Sequence, residues 1–204
     1  MDDHTKTAGW IAGGLAAGLL AAFAVRRSRG SAPIAGADHA EETFLPANFT
    51  QSSGWTKVQY GGRVWEVAPS YIAPVGIGEA ARIAAANGAE LPTPGLVDAI
   101  WQAADLKLDP LPRQHDGTPA TMASPVVYDD QLNLIRDQIG GQKFRLMAGS
   151  HKDVVIDPRT GKLGLYGWHR RDGSVWQPLY TNHSPEWIDY SQGLRLVRPS
   201  AMLL

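Results

Sequence analysis

The sequence predicts an α+β domain that follows an N-terminal membrane anchor. Segments with helical periodicity come early in the folded region, and segments that alternate between apolar and polar residues come mainly late. In addition, the segment 8–25, AGWIAGGLAAGLLAAFAV, has eighteen residues without a charged side chain. We therefore expect an anchor at 1–29, a flexible linker at 30–54 and a single globular domain at 55–204.

The composition limits the classes of function. With 204 residues and 44% hydrophobic side chains, the chain can bury one core of roughly 150 residues and is not intrinsically disordered. The net charge is −1, and no basic run is longer than 26–29, so we expect no nucleic-acid partner. The absence of cysteine excludes disulfides, thiolate zinc sites and cysteine nucleophiles.

The segment 8–25 is close to the minimum length that spans a bilayer, so we expect a single-pass membrane protein. Its high Ala and Gly content also fits a cleaved signal peptide or an interfacial helix. Gly9 and Gly13, and likewise Gly14 and Gly18, have GxxxG spacing. This spacing predicts a homo-oligomer through a glycine face, although Ala/Gly-rich segments also produce it by chance.

Two arguments disagree about the side of the membrane on which the domain lies. Lys6 is the only Lys or Arg before the segment, whereas Arg26, Arg27 and Arg29 follow it, and this bias predicts a cytoplasmic domain. Weakly hydrophobic, Gly/Ala-rich N-terminal helices also resemble the releasable signal anchors of some phage endolysins, which implies an extracytoplasmic domain. Only the second arrangement gives access to a cell-envelope polymer.

The folded domain begins with a predicted hairpin and a helix. Residues 55–69, WTKVQYGGRVWEVAP, alternate on both sides of Gly61 and Gly62, the pattern of two strands joined by a two-residue turn. Residues 76–87 then have a helical pattern, and Gly88 follows as a helix stop.

Two further helices are separated by a proline-rich segment. Thr93 and Pro94 form an N-cap followed by proline at the first helical position, which predicts a helix to about Leu106. The segment 108–125 is rich in proline and predicts a long loop. Residues 129–139 have apolar side chains on one helical face, and two glycines follow them.

After the third helix, the periodicity changes from helical to alternating. Five segments have this pattern, and we expect each to form a strand: 143–149, 153–156, 162–168, 174–180 and 194–199. The sequences at 157–161 and 171–173 are typical hairpin turns, in which Asp157 and Asp172 have turn roles. We therefore expect a mainly antiparallel C-terminal sheet.

Three histidines in this sheet region suggest a site. His151 and Asp153 project to the same face of an extended strand, because strand side chains repeat every two residues. Pairing around the 157–161 turn brings His169 close to residue 150. The sequence therefore predicts His151, Asp153 and His169 as metal ligands, with zinc as the cofactor. The alternative is that each histidine is an ordinary strand-end residue satisfied by backbone and water.

His183, Asp189 and Ser191 follow in TNHSPEWIDYSQG. These residue types can supply a third metal ligand, a general base and a hydroxyl nucleophile, so we predict them as catalytic residues. No fixed motif defines their roles.

Trp168, Trp176 and Trp187 lie in the same part of the sequence. They predict either a groove on which sugars stack or aromatic side chains that pack in the core of the sheet.

Four short segments carry a resemblance over about the last 60 residues: HKDVV from His151, YGWH up to His169, QPL from Gln177 and DYSQG up to Gly193. Together they resemble an uncharacterised group of bacterial and phage-associated extracellular proteins. That group has histidine at the position of Gln192. The resemblance implies that the polar residues of these segments belong together.

The order of His151, Asp157 and the pair Trp168 and His169 is similar to that of zinc D-alanyl-D-alanine peptidases, in which His, Asp and His bind zinc and a Glu acts as base. The chain departs from this family in three ways. The first spacing is six residues rather than seven, Ser150 directly precedes the first histidine, and no Glu lies shortly before His169.

The first hypothesis is a membrane-tethered hydrolase of a cell-envelope polymer, with peptidoglycan as the leading substrate. His151, His169 and His183 gather around a metal or a polarised water, Asp153 orients or ligates, and Asp189 acts as base. A zinc site of this kind lowers the pKa of bound water toward 7.

The second hypothesis is a non-catalytic assembly or virion-associated protein. In this case the anchor oligomerises through its glycine face, and the domain binds a partner through the hairpins rich in Trp and His.

Overall fold

The computed structural model describes residues 54–114 and 118–200. The predicted anchor at 8–25, its glycine face and nearly all of the linker lie outside these residues. Among the described residues, no helix is long and apolar enough to cross a membrane. The anchor and the oligomer therefore stay predictions.

The described residues form an α+β fold, as predicted. The helices are α1 (Ile77–Ala86), α2 (Pro94–Ala103), α3 (Pro119–Met122) and α4 (Pro125–Ile139). The strands are β1 (Thr56–Tyr60), β2 (Arg63–Val67), β3 (Leu106–Lys107), β4 (Met147–Ala148), β5 (Lys152–Ile156), β6 (Leu163–His169), β7 (Val175–Tyr180), β8 (Gln192–Gly193) and β9 (Val197–Pro199).

These strands make three sheets, with the orders β1-β2-β9, β3-β4 and β7-β6-β5-β8. The pairs β3-β4 and β5-β8 are parallel, and the other pairs are antiparallel. The mainly antiparallel arrangement is confirmed.

The N-terminal hairpin is also confirmed. Tyr60 pairs with Arg63, so Gly61 and Gly62 form the two-residue turn. Both glycines have positive φ, 60° and 73°, which is the backbone that a type I′ hairpin turn requires.

Helix α2 starts where predicted, because Thr93 Oγ1 accepts a hydrogen bond from the Leu96 N–H at 3.4 Å and Pro94 occupies the first turn. It ends three residues before the predicted Leu106. Ala104 adopts an extended backbone with ψ of 130°, and the next residues form β3 against β4. Tertiary pairing therefore shortens the helix.

Helix α4 begins four residues earlier than predicted. Ser124 caps it, since the Ser124 Oγ accepts from the Val127 N–H at 3.3 Å, and Pro125 takes the first position. This is the same cap and proline pair that starts α2. The short helix α3 lies within the segment predicted as a loop. Gly140 ends α4 with φ of 55°, as the two glycines suggest.

The segment predicted as a strand at 143–149 forms only the two-residue strand β4. The reason is a tertiary contact: the backbone N–H groups of Arg145 and Leu146 donate to the carboxylate of the distant Asp105 at 3.1 and 2.8 Å. Those donors are therefore not used in a sheet ladder.

The hairpin of β5 and β6 has the predicted register, with Lys152 opposite Gly167 and Ile156 opposite Leu163. Asp157 has the predicted turn role, because its carboxylate accepts from the Arg159 N–H at 3.0 Å and from the Thr160 hydroxyl at 2.8 Å. In the next hairpin, the Asp172 carboxylate likewise accepts from the Ser174 N–H at 2.8 Å.

Candidate functional site

His151 and Asp153 lie on the same side of β5, as predicted, and both are buried. Tyr71 contacts both: its ring centroid is 5.1 Å from that of His151, and its hydroxyl donates to Asp153 Oδ2 at 3.0 Å. His151 Nδ1 is 2.9 Å from the Ser150 hydroxyl. We call His151, Asp153, Tyr71 and Arg195 the inner network.

Arg195 is the centre of the inner network. Its guanidinium lies 3.8 Å from the Tyr71 ring centroid and donates to the carbonyls of Ala68 and Met147 at 2.8 and 2.6 Å. Its Nε lies 3.9 Å from Asp153 Oδ1. The side chain is fully buried. It therefore links β5 to the segment after β2 and to β4.

Burial controls the charges of this network. Burial raises the pKa of Asp153 to about 7, although Arg195 and the Tyr71 hydroxyl oppose the shift. Burial, helped by Arg195 and opposed by Asp189, lowers the pKa of His151 to about 3. His151 is therefore a neutral buried ring at physiological pH.

His169 faces a different partner. Its Nε2 is 2.9 Å from Asp98 Oδ1 on α2, and the Tyr166 hydroxyl donates to the same oxygen at 2.9 Å. The ring also stacks on Trp101, with centroids 5.3 Å apart. The predicted register is correct for the backbone, but the side chain of His169 lies against α2.

A β-bulge explains where these side chains lie. The pairing of β6 with β7 shifts between Leu165 and Gly167, and Gly167 and Trp168 have φ of 94° and 53°. A bulge re-aims the side chains that follow it. Among the described residues, Trp168 is the only non-glycine residue with positive φ, and no sequence periodicity indicates this.

The three predicted metal ligands thus have separate partners, namely the Ser150 hydroxyl, Tyr71 with Arg195, and Asp98. Across residues 54–114 and 118–200, no group of three or more His, Cys, Asp or Glu residues is arranged to hold a metal ion. We derive no zinc-dependent step from this geometry, and the zinc site stays a prediction.

Two of the predicted catalytic residues are in direct contact. Asp189 Oδ1 accepts from both the backbone N–H and the hydroxyl of Ser191 at 2.7 Å. Asp189 Oδ2 accepts from Lys152 Nζ at 3.3 Å and from Trp187 Nε1 at 3.5 Å. A carboxylate has about four acceptor positions, so all of those of Asp189 are occupied.

Asp189 is therefore an anchoring anion. It is 1% exposed, and although burial alone would raise its pKa, Lys152 and the hydrogen bonds of Ser191 outweigh burial and lower the pKa below its ordinary value. Ser191 is fully buried. This geometry fits a structural role for both residues better than the predicted roles of base and nucleophile.

His183 lies between two aromatic rings. It stacks on Trp187, with centroids 4.1 Å apart and planes 11° apart, and it meets Tyr180 edge-on at 4.7 Å. Burial lowers the pKa of His183, Asp189 opposes this shift and Lys152 adds to it. The ring is therefore neutral at physiological pH, and it is half-buried.

Strand β7 continues this aromatic surface. Its side chains alternate between half-buried and exposed, and Trp176 and Tyr180, each 42% exposed, share the outer face with Pro178. The Arg170 guanidinium lies 4.4 Å from the Trp176 ring centroid. We call Trp176, Tyr180, His183 and Trp187 the aromatic row, and we call Lys152 and Asp189, which lie below it, the anchoring pair.

Of the three tryptophans predicted to form a groove or a core, Trp176 is exposed, Trp187 is half-buried and Trp168 is buried. Trp168 meets Trp176 edge-on, with centroids 6.4 Å apart. Trp168 therefore packs in the core, whereas the sugar-stacking interpretation stays a prediction for Trp176 and Trp187.

Lys152 and Asp98 also contact these residues, and neither was predicted from the sequence. Lys152 was identifiable, because it lies between His151 and Asp153 and strand alternation sends it to the other face. Asp98 is 71 residues from His169, and no local pattern connects the two.

Comparison of the chain with family models, with curated proteins and with solved structures finds no match. The resemblances noted in the sequence therefore stay predictions, and the candidate function depends on the geometry of the domain.

Proposed function

We propose that the domain is a binding module that recognises a cell-envelope glycan through the aromatic row. This proposal joins the non-catalytic binding role of the second hypothesis to the envelope polymer of the first. The observation that supports it is the line of partly exposed rings on β7 and the following loop. Aromatic rings present a large apolar face, which suits the C–H faces of sugar rings.

The spacing of the row suits a polymer. Trp176 and Tyr180 are four residues apart on the same face of β7, a distance of roughly 13 Å at strand geometry. Among the described strands, β7 is one of the two edge strands of its sheet. An extended oligosaccharide therefore has access along the strand, with Pro178 between the two rings.

The rings are also held in place before binding. Asp189 accepts from the Trp187 indole, Trp187 stacks on His183, and the Gln192 side chain donates to the Trp187 carbonyl at 3.1 Å. Side chains that are already ordered lose little entropy when a ligand binds, which improves affinity.

Ligand-observed NMR with oligomers of N-acetylglucosamine tests this proposal on the full 204-residue chain. We expect Trp176→Ala to weaken binding about tenfold or more, since central aromatic residues dominate binding energy. Leu134→Ala is the matched control, because Leu134 is 42% exposed on α4 and lies outside the row. Equal binding by Trp176→Ala and the wild-type chain contradicts the proposal.

The position of the domain relative to the membrane is a second requirement. An envelope glycan is accessible only if the domain is extracytoplasmic. A reporter fused after Leu204 measures this directly, and a cytoplasmic signal removes the envelope polymer as ligand while leaving assembly with a protein partner.

Hydrolysis is the second candidate, and His183 favours it. A neutral, partly exposed imidazole beside the glycan surface has the protonation state of a general base. Turnover of soluble peptidoglycan fragments by the wild-type chain, lost in His183→Gln, supports catalysis. Zinc bound in stoichiometric amount, and lost in His169→Ala, supports the zinc-dependent form of this candidate.

A further inference from the structure

Four side chains around helix α4 and Tyr190 have buried polar atoms without hydrogen-bond partners. Within residues 54–114 and 118–200, these atoms are Arg113 Nη1, Tyr128 Oη, both side-chain polar atoms of Gln131, and Trp168 Nε1. Tyr128, Gln131 and Trp168 are 2%, 1% and 2% exposed. We call these four residues the donor group.

The donor group occupies one region of the fold. Tyr128 and Gln131 are three residues apart on α4 and so share a helix face, and Tyr128, Trp168 and Tyr190 pack in one buried cluster. The backbone N–H of Arg113 donates to the Tyr190 hydroxyl at 2.7 Å. The Arg113 guanidinium then reaches Asp130 on α4 at 3.0 Å.

Such groups are costly for folding. A buried polar group without a partner destabilises the native state by its desolvation penalty, so native proteins contain few of them. Trp168 also adopts its positive φ at the bulge, and such backbone strain is concentrated at functional sites. Two independent kinds of unfavourable local structure therefore coincide at Trp168.

We propose that the donor group binds a carboxylate on the ligand, so that the glycan recognised by the domain contains an acidic sugar. This inference rests on the proposed glycan function. The indole and the guanidinium can only donate, the phenol has a hydrogen to donate, and a carboxylate can only accept. Gln131 Oε1 is the acceptor of the group and suits an amide N–H or hydroxyl beside the carboxylate.

The charges near the donor group allow an anion to bind. Asp189 lies close enough to raise the pKa of Tyr128, after the larger effect of burial, but Lys152 pairs with Asp189. Asp130 is likewise paired with Arg113. The negative charge of each nearby carboxylate is thus balanced by a cation. Lys152 Nζ also lies 5.5 Å from the Trp168 ring centroid, so a positive charge is close to the donor group.

Trp168 also connects the donor group to the surface. Its ring meets that of Trp176 edge-on. A sugar stacked on Trp176 is therefore next to the ring that carries one of the unpartnered donors.

N-acetylmuramic acid and N-acetylglucosamine test the inference as a matched pair, since the former differs by a lactyl ether with a free carboxylate. With the full chain in ligand-observed NMR, we expect the acidic sugar to bind more tightly. Tyr128→Phe and Gln131→Leu should each weaken only the acidic sugar, by about tenfold or more, the effect of one lost hydrogen bond to a charged group. Tyr60→Phe, which removes a hydroxyl from the separate β1 strand, is the control.

Thermal unfolding of the same variants separates ligand binding from a structural role. Removal of an unpartnered buried group should leave the melting temperature unchanged or raise it. A lower melting temperature in Tyr128→Phe, or unchanged selectivity at unchanged stability, overturns the inference.

The outcomes also distinguish this inference from the proposed function. Equal binding of the two sugars, both dependent on Trp176, overturns the carboxylate site alone. Binding of the acidic sugar that depends on Tyr128 but not on Trp176 overturns the aromatic row alone. A wild-type chain that binds neither sugar overturns both proposals.

Discussion

The inner network and the anchoring pair use the two faces of β5 in different ways. His151 and Asp153 face Tyr71 and Arg195, whose buried groups connect separate parts of the fold. Lys152, between them in sequence, faces Asp189 and supports a partly exposed surface. Residues that are adjacent in a polar sequence motif therefore belong to two different environments, one structural and one at a candidate binding surface.

The largest effect should follow from a change at the centre of the inner network. Arg195→Met leaves Asp153 without its cation and the carbonyls of Ala68 and Met147 without donors. Loss of one partner of a buried ion pair destabilises a protein by about 3 to 5 kcal/mol, and chemical denaturation measures this. Arg198→Met is the control. Its pair with Glu66 is partly exposed, so the loss should stay below about 1 kcal/mol.

The next effect is a dependence of stability on pH, in which His151 and Asp153 act in opposite directions. The folded pKa of His151 falls from its ordinary 6.5 to about 3, so stability is lost as pH falls from 6.5 toward 3. The folded pKa of Asp153 rises from 3.8 to about 7, so stability is lost as pH rises from 3.8 toward 7. The two effects oppose each other between pH 4 and 6.5 in the wild-type chain.

Single substitutions should separate these two effects. His151→Asn removes the effect of His151 and keeps that of Asp153. Relative to the wild-type chain, the free energy of unfolding of this variant should therefore be higher at pH 5 than at pH 7. Asp153→Asn leaves the His151 effect and should do the opposite. Each difference is on the order of a few kcal/mol at most, measured by denaturation at both pH values. If the free energy of unfolding changes with pH in the same way in all three proteins, the effects assigned to the burial of His151 and Asp153 are wrong.

A smaller effect should distinguish the two buried aspartates. Asp189→Asn removes the counterion of Lys152 and weakens the support of Trp187, so we expect a loss of about 2 kcal/mol and weaker glycan binding. Asp153→Asn at pH 7 should destabilise less, because the pKa of Asp153 is about 7 and the carboxyl is partly neutral there, and because Arg195 keeps its bonds to the carbonyls of Ala68 and Met147. It should not affect glycan binding. An equal effect of both substitutions on binding contradicts the division of β5 into two environments.

The same strand shows what the sequence predicts well and what it does not. Local rules predicted the hairpins, the cap of α2 and the shared face of His151 and Asp153, because turns, caps and strand alternation depend on neighbouring residues. They did not give the partner of His169, since Asp98 comes from a distant helix. They also did not predict the register shift between Leu165 and Gly167 or the positive φ of Trp168, which opposes local preference.

The polar composition of the candidate site was visible in the sequence, but the roles of its members were not. His, Asp and Ser at these spacings suit catalysis as well as structure, and only the count of occupied acceptor positions on Asp189 separates the two. For the same reason, the donor group gave no sequence signal. Whether a polar atom has a hydrogen-bond partner depends on its surroundings in the folded chain, and the residue types of Tyr128 and Gln131 do not indicate it.

The smallest effect tests the role of Ser191 within this comparison. Its hydroxyl donates to Asp189 at 2.7 Å, but the backbone N–H donates to the same oxygen, so Ser191→Ala removes only one of two donors. We expect a loss of about 1.5 kcal/mol, the lower end for a hydrogen bond to a charged group, with glycan binding and any turnover retained. Ser150→Ala, which removes a hydrogen bond to the neutral His151, should lose about 1 kcal/mol. Complete loss of turnover at unchanged stability in Ser191→Ala would instead identify Ser191 as a nucleophile and favour the hydrolase.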